Sequence, residues 1–106
     1  MVNRLHLQVP QDSIADFCRR HRVRKLELFG SVLREDFRPD SDVDILVEFE
    51  REAHPGLFNL ARMQFELEEI LGRTVDLIER SAIENSRNYL RRKAILNSTE
   101  ILYAAG

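Results

Sequence analysis

Residues 29–44 read FGSVLREDFRPDSDVD, and nothing else in the chain is chemically as unusual. An apolar run over residues 25–29 ends in Gly30-Ser31, and a second apolar run opens with Asp42 and Asp44. A polar loop over residues 37–41, containing Pro39, separates them. A small hydroxyl-bearing turn facing two carboxylates suits a site that holds nucleotide phosphates and their magnesium ions.

Outward from that stretch, Val43–Phe49 is the clearest strand. Val43, Ile45, Val47 and Phe49 alternate with Asp44, Leu46 and Glu48, a period of two. Upstream, residues 25–29 predict a short strand with Leu26 and Leu28 on one face, and residues 31–36 a short helix entered through Gly30. Residues 10–21 predict a first helix, with Ile14, Phe17 and Cys18 at helical spacing and Pro10 in its first turn. Downstream, a charged connector over residues 50–55 leads to a long helix, Leu57–Leu71, closed by Gly72. Residues 74–78 predict a third strand with Asp76 in its middle. Ser81 and Glu84 have capping-box spacing, so a helix is expected from Ser81 unbroken to about residue 97, with residues 100–103 extended. Strands interleaved with helices give an α/β (α+β) fold, a small sheet packed with helices, in one domain over residues 1–106. The pattern leaves the strand order open.

The 106 residues carry a formal charge of −2, so there is no broad basic field for gripping bulk nucleic acid. Cys18 is the only cysteine, which excludes an intrachain disulfide and fits a reducing cytoplasm. No apolar run approaches the ~20 residues that span a bilayer, and the first residues lack a signal-peptide core. A cytoplasmic protein without a membrane partner is expected.

On a strand, Asp42 and Asp44 would share a face, about 6.6 Å apart at the backbone. Two carboxylates at about 6 Å repel by roughly 3 kcal/mol at an effective dielectric of about 20. Protonation or a cation must offset this, and magnesium, which prefers oxygen ligands, is the natural cation. Asp76 interrupts an otherwise apolar strand. If Val75 and Leu77 face the core, Asp76 points to the face that carries Asp44. Three carboxylates can hold two magnesium ions of the kind that clamp attacking and leaving oxygens. Each piece alone has a plain reading, a turn or a solvated strand; the combination points to phosphoryl-type chemistry.

The segments LFGSV, RPDSDVDILVEFE, GLFNLARMQFELEEILGRTVDLI and the terminal ILY together resemble the nucleotidyltransferase superfamily that includes DNA polymerase beta. The nearer resemblance is to its minimal nucleotidyltransferases, the small antitoxins paired with HEPN-domain toxins. That resemblance implies a polymerase-beta-type fold and transfer of AMP from ATP to a protein hydroxyl, a tyrosine of a cognate HEPN toxin. It implies metal binding and catalysis by Asp42, Asp44 and Asp76, and nucleotide contact by Gly30, Ser31 and Arg34. Leu33 and Glu35 stand where the commonest motif has alanine and glycine. Bulk and negative charge there would weaken ATP binding, which leaves open an antitoxin that only masks its toxin. Transfer to a small molecule is a third reading, disfavoured because the chain has no room for a second substrate domain.

His6, His21 and His54 lack zinc-ligand spacing. The basic residues over 19–25 and 91–93 read as solvated helix ends, with contact to RNA or an acidic partner as the alternative. On the long helix, Leu57, Leu60, Met63, Leu67, Ile70 and Leu71 form a stripe that can cover a sheet. Phe58, Ala61 and Phe65 form another, expected to meet a toxin or a second copy unless the last helix covers it.

Overall fold

The computed structural model describes residues 9–30, 42–53 and 55–105. The expected helix over residues 31–36, the loop over 37–41, and Ser31, Leu33, Arg34, Glu35, His6 and His54 lie outside the described residues.

Helix α1, Gln11–Arg20, starts after Pro10, whose carbonyl accepts the Ile14 N–H at 3.0 Å. Strand β1, Val23–Phe29, begins two residues earlier than the apolar run suggests, because Val23 is buried and pairs with Phe49. Strand β2, Val43–Phe49, and helix α2, Leu57–Leu71, have the expected bounds. Gly72 closes α2 in the left-handed conformation (φ 66°), its N–H donating to the Glu68 carbonyl at 2.8 Å. Strand β3, Val75–Glu79, helices α3, Arg80–Glu84, and α4, Tyr89–Leu96, and strand β4, Glu100–Ala104, complete the chain.

The expectation of one helix from Ser81 is corrected: two short helices replace it, and Glu79, not Ser81, occupies the cap position, without a side-chain capping bond. The intervening polar residues bond locally instead of continuing the helix. Asn85 Nδ2 donates to the Ser81 carbonyl at 2.9 Å, and the Asn88 N–H to Ser86 Oγ at 3.3 Å. Arg92 then donates to the carbonyls of Glu84 and Ser86, tying α4 to the end of α3.

The sheet order is β3-β2-β1-β4, with β2 and β3 parallel and the other pairs antiparallel. The sheet is therefore mixed, as the family resemblance implies. Helix α2 makes the crossover that a parallel pair requires. One face buries Leu26, Leu28, Val43, Ile45, Val47 and Val75 against Ile14, Phe17 and Cys18 of α1 and Met63 and Leu67 of α2. Each such aliphatic side chain contributes about 1.5–3 kcal/mol on burial. Burial pushes the Cys18 thiol up to about 12, so it acts as an apolar filler. The other face carries a smaller cluster of Phe29, Leu46 and Ile83, with Ile78, Ile95 and Leu96 packed against it.

Leu57 is a second correction. It was expected in the stripe covering the sheet but is 82% exposed, because the packed part of the stripe begins one turn later at Leu60. Phe58 and Phe65 are 87% and 65% exposed, and the apolar residues of α4 that pack, Ile95 and Leu96, do so on the opposite sheet face. Two polar residues of α2 serve the outer edge of β3: Glu68 accepts the Val75 N–H at 2.9 Å and Gln64 the Leu77 N–H at 3.3 Å. Two outward donors of an edge strand are thereby occupied within the chain.

Candidate active site

The parallel register of β2 and β3 sets Asp44 directly beside Asp76. Paired residues on neighbouring strands point to the same face, about 4.8 Å apart at the backbone. Their flanking residues Val43, Ile45 and Val75 are buried in the core on the opposite face, so the two carboxylates project away from α1 and α2. The alternation read in the sequence thus holds on both strands. Asp42 is exposed and immediately precedes β2, so it stands at the mouth of the strand rather than on it.

The charges of Asp76 and Asp42 act on Asp44. The half-buried Asp44 has its carboxyl raised above its ordinary value, first by desolvation and then by the charges of Asp76 and Asp42. Such a group holds a proton, or a cation in its place, more readily than a free carboxylate.

Gly30 supplies the other wall. It follows Phe29, which pairs with Asp44 across β1 and β2, and it turns the chain with φ 76°, a conformation that favours glycine. A Cβ built on Gly30 would collide with the Asp44 carboxylate, Oδ2 first. The glycine turn and the acidic strand, separated by a loop in sequence, are therefore in contact. Ser31 and Arg34, expected to reach the phosphates, lie outside the described residues.

Among the described residues, no three His, Cys, Asp or Glu side chains converge into a ready-made metal cage. The arrangement is instead an open row, Asp42, Asp44 and Asp76, with a main-chain cradle at Gly30. It fits magnesium, which binds through one or two carboxylates, keeps several waters and takes further oxygens from substrate phosphates.

One polar group on this face was not legible as special. Glu27 alternates with Leu26 and Leu28 and reads as a solvated residue, yet it is 4% exposed. Arg80, at the start of α3, pairs with one of its oxygens, and Thr99 Oγ1 donates to the other at 2.7 Å. The only sequence signal was a charge between two core leucines, which is also how a surface strand looks.

Among the described residues no helix is long and apolar enough to cross a membrane. A family model described as a nucleotidyltransferase domain matches residues 12–102. A Methanocaldococcus jannaschii relative, provisionally named protein adenylyltransferase MJ0435, is 41% identical over 78 residues, covering 74% of this chain and 77% of that protein. A solved structure assigned provisionally to a minimal nucleotidyltransferase superposes with a TM-score of 0.63 at 32% identity, covering 85% of this chain and 86% of the other. Two solved toxin–antitoxin complexes share the fold at 18% identity. One was crystallised with AMP-PNP (TM-score 0.68; 92% of this chain, 75% of the other). The other holds a tri-AMPylated Shewanella oneidensis HEPN toxin with its minimal-nucleotidyltransferase antitoxin (TM-score 0.60; 90% and 70%). The chain belongs to the nucleotidyltransferase domain family and, within it, to the protein adenylyltransferases.

Proposed function

We propose that this protein transfers AMP from ATP to a tyrosine of a HEPN-type toxin and so acts as the toxin's antitoxin in the cytoplasm. The observation that carries this reading is the pairing of Asp44 with Asp76 beside the turn at Gly30. The adenylyltransferase relative and the two structurally similar toxin–antitoxin complexes support it.

Asp42, Asp44 and Asp76 would hold magnesium, which when bound offsets charge on the phosphates and makes the acceptor hydroxyl easier to deprotonate. Gly30 lets the main chain approach the phosphates where a side chain would meet Asp44. Ser31 and Arg34 are proposed to contact the phosphates from the turn beyond it. The acceptor oxygen attacks the α-phosphorus in line, an oxygen–phosphorus bond forms, and pyrophosphate departs. Asp76, on the outermost strand, is proposed to serve the attacking side, and Asp42 and Asp44 the nucleotide.

The test uses the full chain, the protein encoded beside it, magnesium and ATP labelled at the α-phosphate. Label should appear on the partner, and Asp42→Asn with Asp44→Asn should abolish it while the complex still forms in a pull-down. Undiminished transfer by the double variant would refute the site. Full neutralisation of the toxin by that variant in cells would replace catalysis with masking by contact.

A further inference from the structure

We propose that Tyr89 is itself an acceptor, so that one copy of this protein adenylylates another; the inference rests on the adenylyl-transfer reading above. The chain has two tyrosines, at 89 and 103. Tyr103 is partly buried in β4 and packed against the core cluster. Tyr89 is 57% exposed at the first residue of α4. A tyrosine normally uses its ring for packing, and this one presents it to solvent.

Its surroundings are cationic. The Arg92 guanidinium lies 5.4 Å and the Lys93 ammonium 6.0 Å from the ring centroid, at helical spacings of three and four residues. Exposed Arg87 stands two residues before it. The donor site has the opposite character, with Asp42, Asp44 and Asp76 joined by a bound triphosphate. A basic surface around the acceptor phenol is thus complementary to the acidic site of a second copy, the arrangement that steers encounter between charged surfaces.

Helix α4 presents Tyr89 at its first residue. Ile95 and Leu96 anchor its far end on the sheet beside Phe29. Tyr89 stands about 9 Å further along the helix at 1.5 Å per residue, with its ring in solvent. In the step, the phenolic oxygen attacks the α-phosphorus of ATP and the new oxygen–phosphorus bond forms as the bond to pyrophosphate breaks. The phenolic proton passes to solvent. The product is a phosphodiester whose negative charge lies beside Arg92 and Lys93, a neighbourhood that stabilises it.

The experiment incubates the purified chain with α-labelled ATP and magnesium, with and without the partner protein, followed by intact mass and peptide mapping. One AMP should appear on the peptide containing Tyr89, at a rate per molecule that rises with protein concentration and falls with added salt. Tyr89→Phe keeps the ring and removes the acceptor, so self-labelling should drop more than tenfold while labelling of the partner is unchanged. Self-labelling that persists in Tyr89→Phe, or maps elsewhere in the wild type, overturns the proposal. Label on the partner with none on the chain overturns it too and leaves the function standing. Label on neither protein overturns both.

Discussion

Asp44 is the residue at which fold and chemistry are most directly opposed. Its carboxyl is raised from the ordinary value of 3.8 by desolvation and by the neighbouring Asp76 and Asp42. A carboxyl whose folded-state value is raised adds stability that is fully present below the unfolded value and lost as pH rises through the folded value. Ionised Asp44 is therefore a liability to the metal-free protein at neutral pH. Asp44→Asn is expected to melt above wild type at pH 7 without magnesium, and the gap should narrow as pH falls through the raised value and close by about 4. Magnesium with ATP should raise the melting temperature of the wild type and not of the variant, because only the wild type gains a bound ligand. Thermal melts between pH 4 and 8 read both effects. A variant that melts below wild type at pH 7 would show that the carboxylate is a structural partner and not a charge awaiting a cation. Legibility at this scale was uneven. Asp44 and Asp76 stood out as candidates because a charge inside an apolar alternation is conspicuous, and Asp42 through its spacing from Asp44. Glu27 was not, because its partners Arg80 and Thr99 are distant in sequence.

Helix α2 has two apolar stripes and the fold uses one. Met63 and Leu67 are fully buried against the sheet, whereas Phe58 and Phe65 face solvent. Phe58→Ala and Phe65→Ala should each change unfolding free energy by less than about 0.5 kcal/mol. Met63→Ala and Leu67→Ala should cost about 2–5 kcal/mol, because they leave cavities. Urea unfolding of the four variants separates the faces, and a loss above 2 kcal/mol at either phenylalanine would contradict its exposure. The bounds of α2 were readable since its own residues specify them, from the apolar period to Gly72 in the left-handed region. The break between α3 and α4 was not, since Asn85, Ser86 and Asn88 are tolerated in helices and act here through local bonds to backbone.

For the whole molecule, Glu27 is the knot that joins β1, α3 and the approach to β4 across one face of the sheet. Glu27→Ala removes the principal partner of a largely buried guanidinium and should cost about 3–5 kcal/mol. Glu27→Gln preserves shape and should cost less. A loss of under about 1 kcal/mol for the alanine variant in urea unfolding would mean that Glu84, 3.5 Å from Arg80, suffices as its partner. Local sequence specifies the strand over Val43–Phe49, the long helix and the placing of Asp44 and Asp76 on the strand face away from the core. These follow from period, capping and turn chemistry within one segment. Only the tertiary structure decided the order β3-β2-β1-β4, the register that sets Asp44 beside Asp76, and the contact of Gly30 with Asp44. Register depends on which strands meet and on what covers each face of the sheet, and those are properties of residues far apart in the chain.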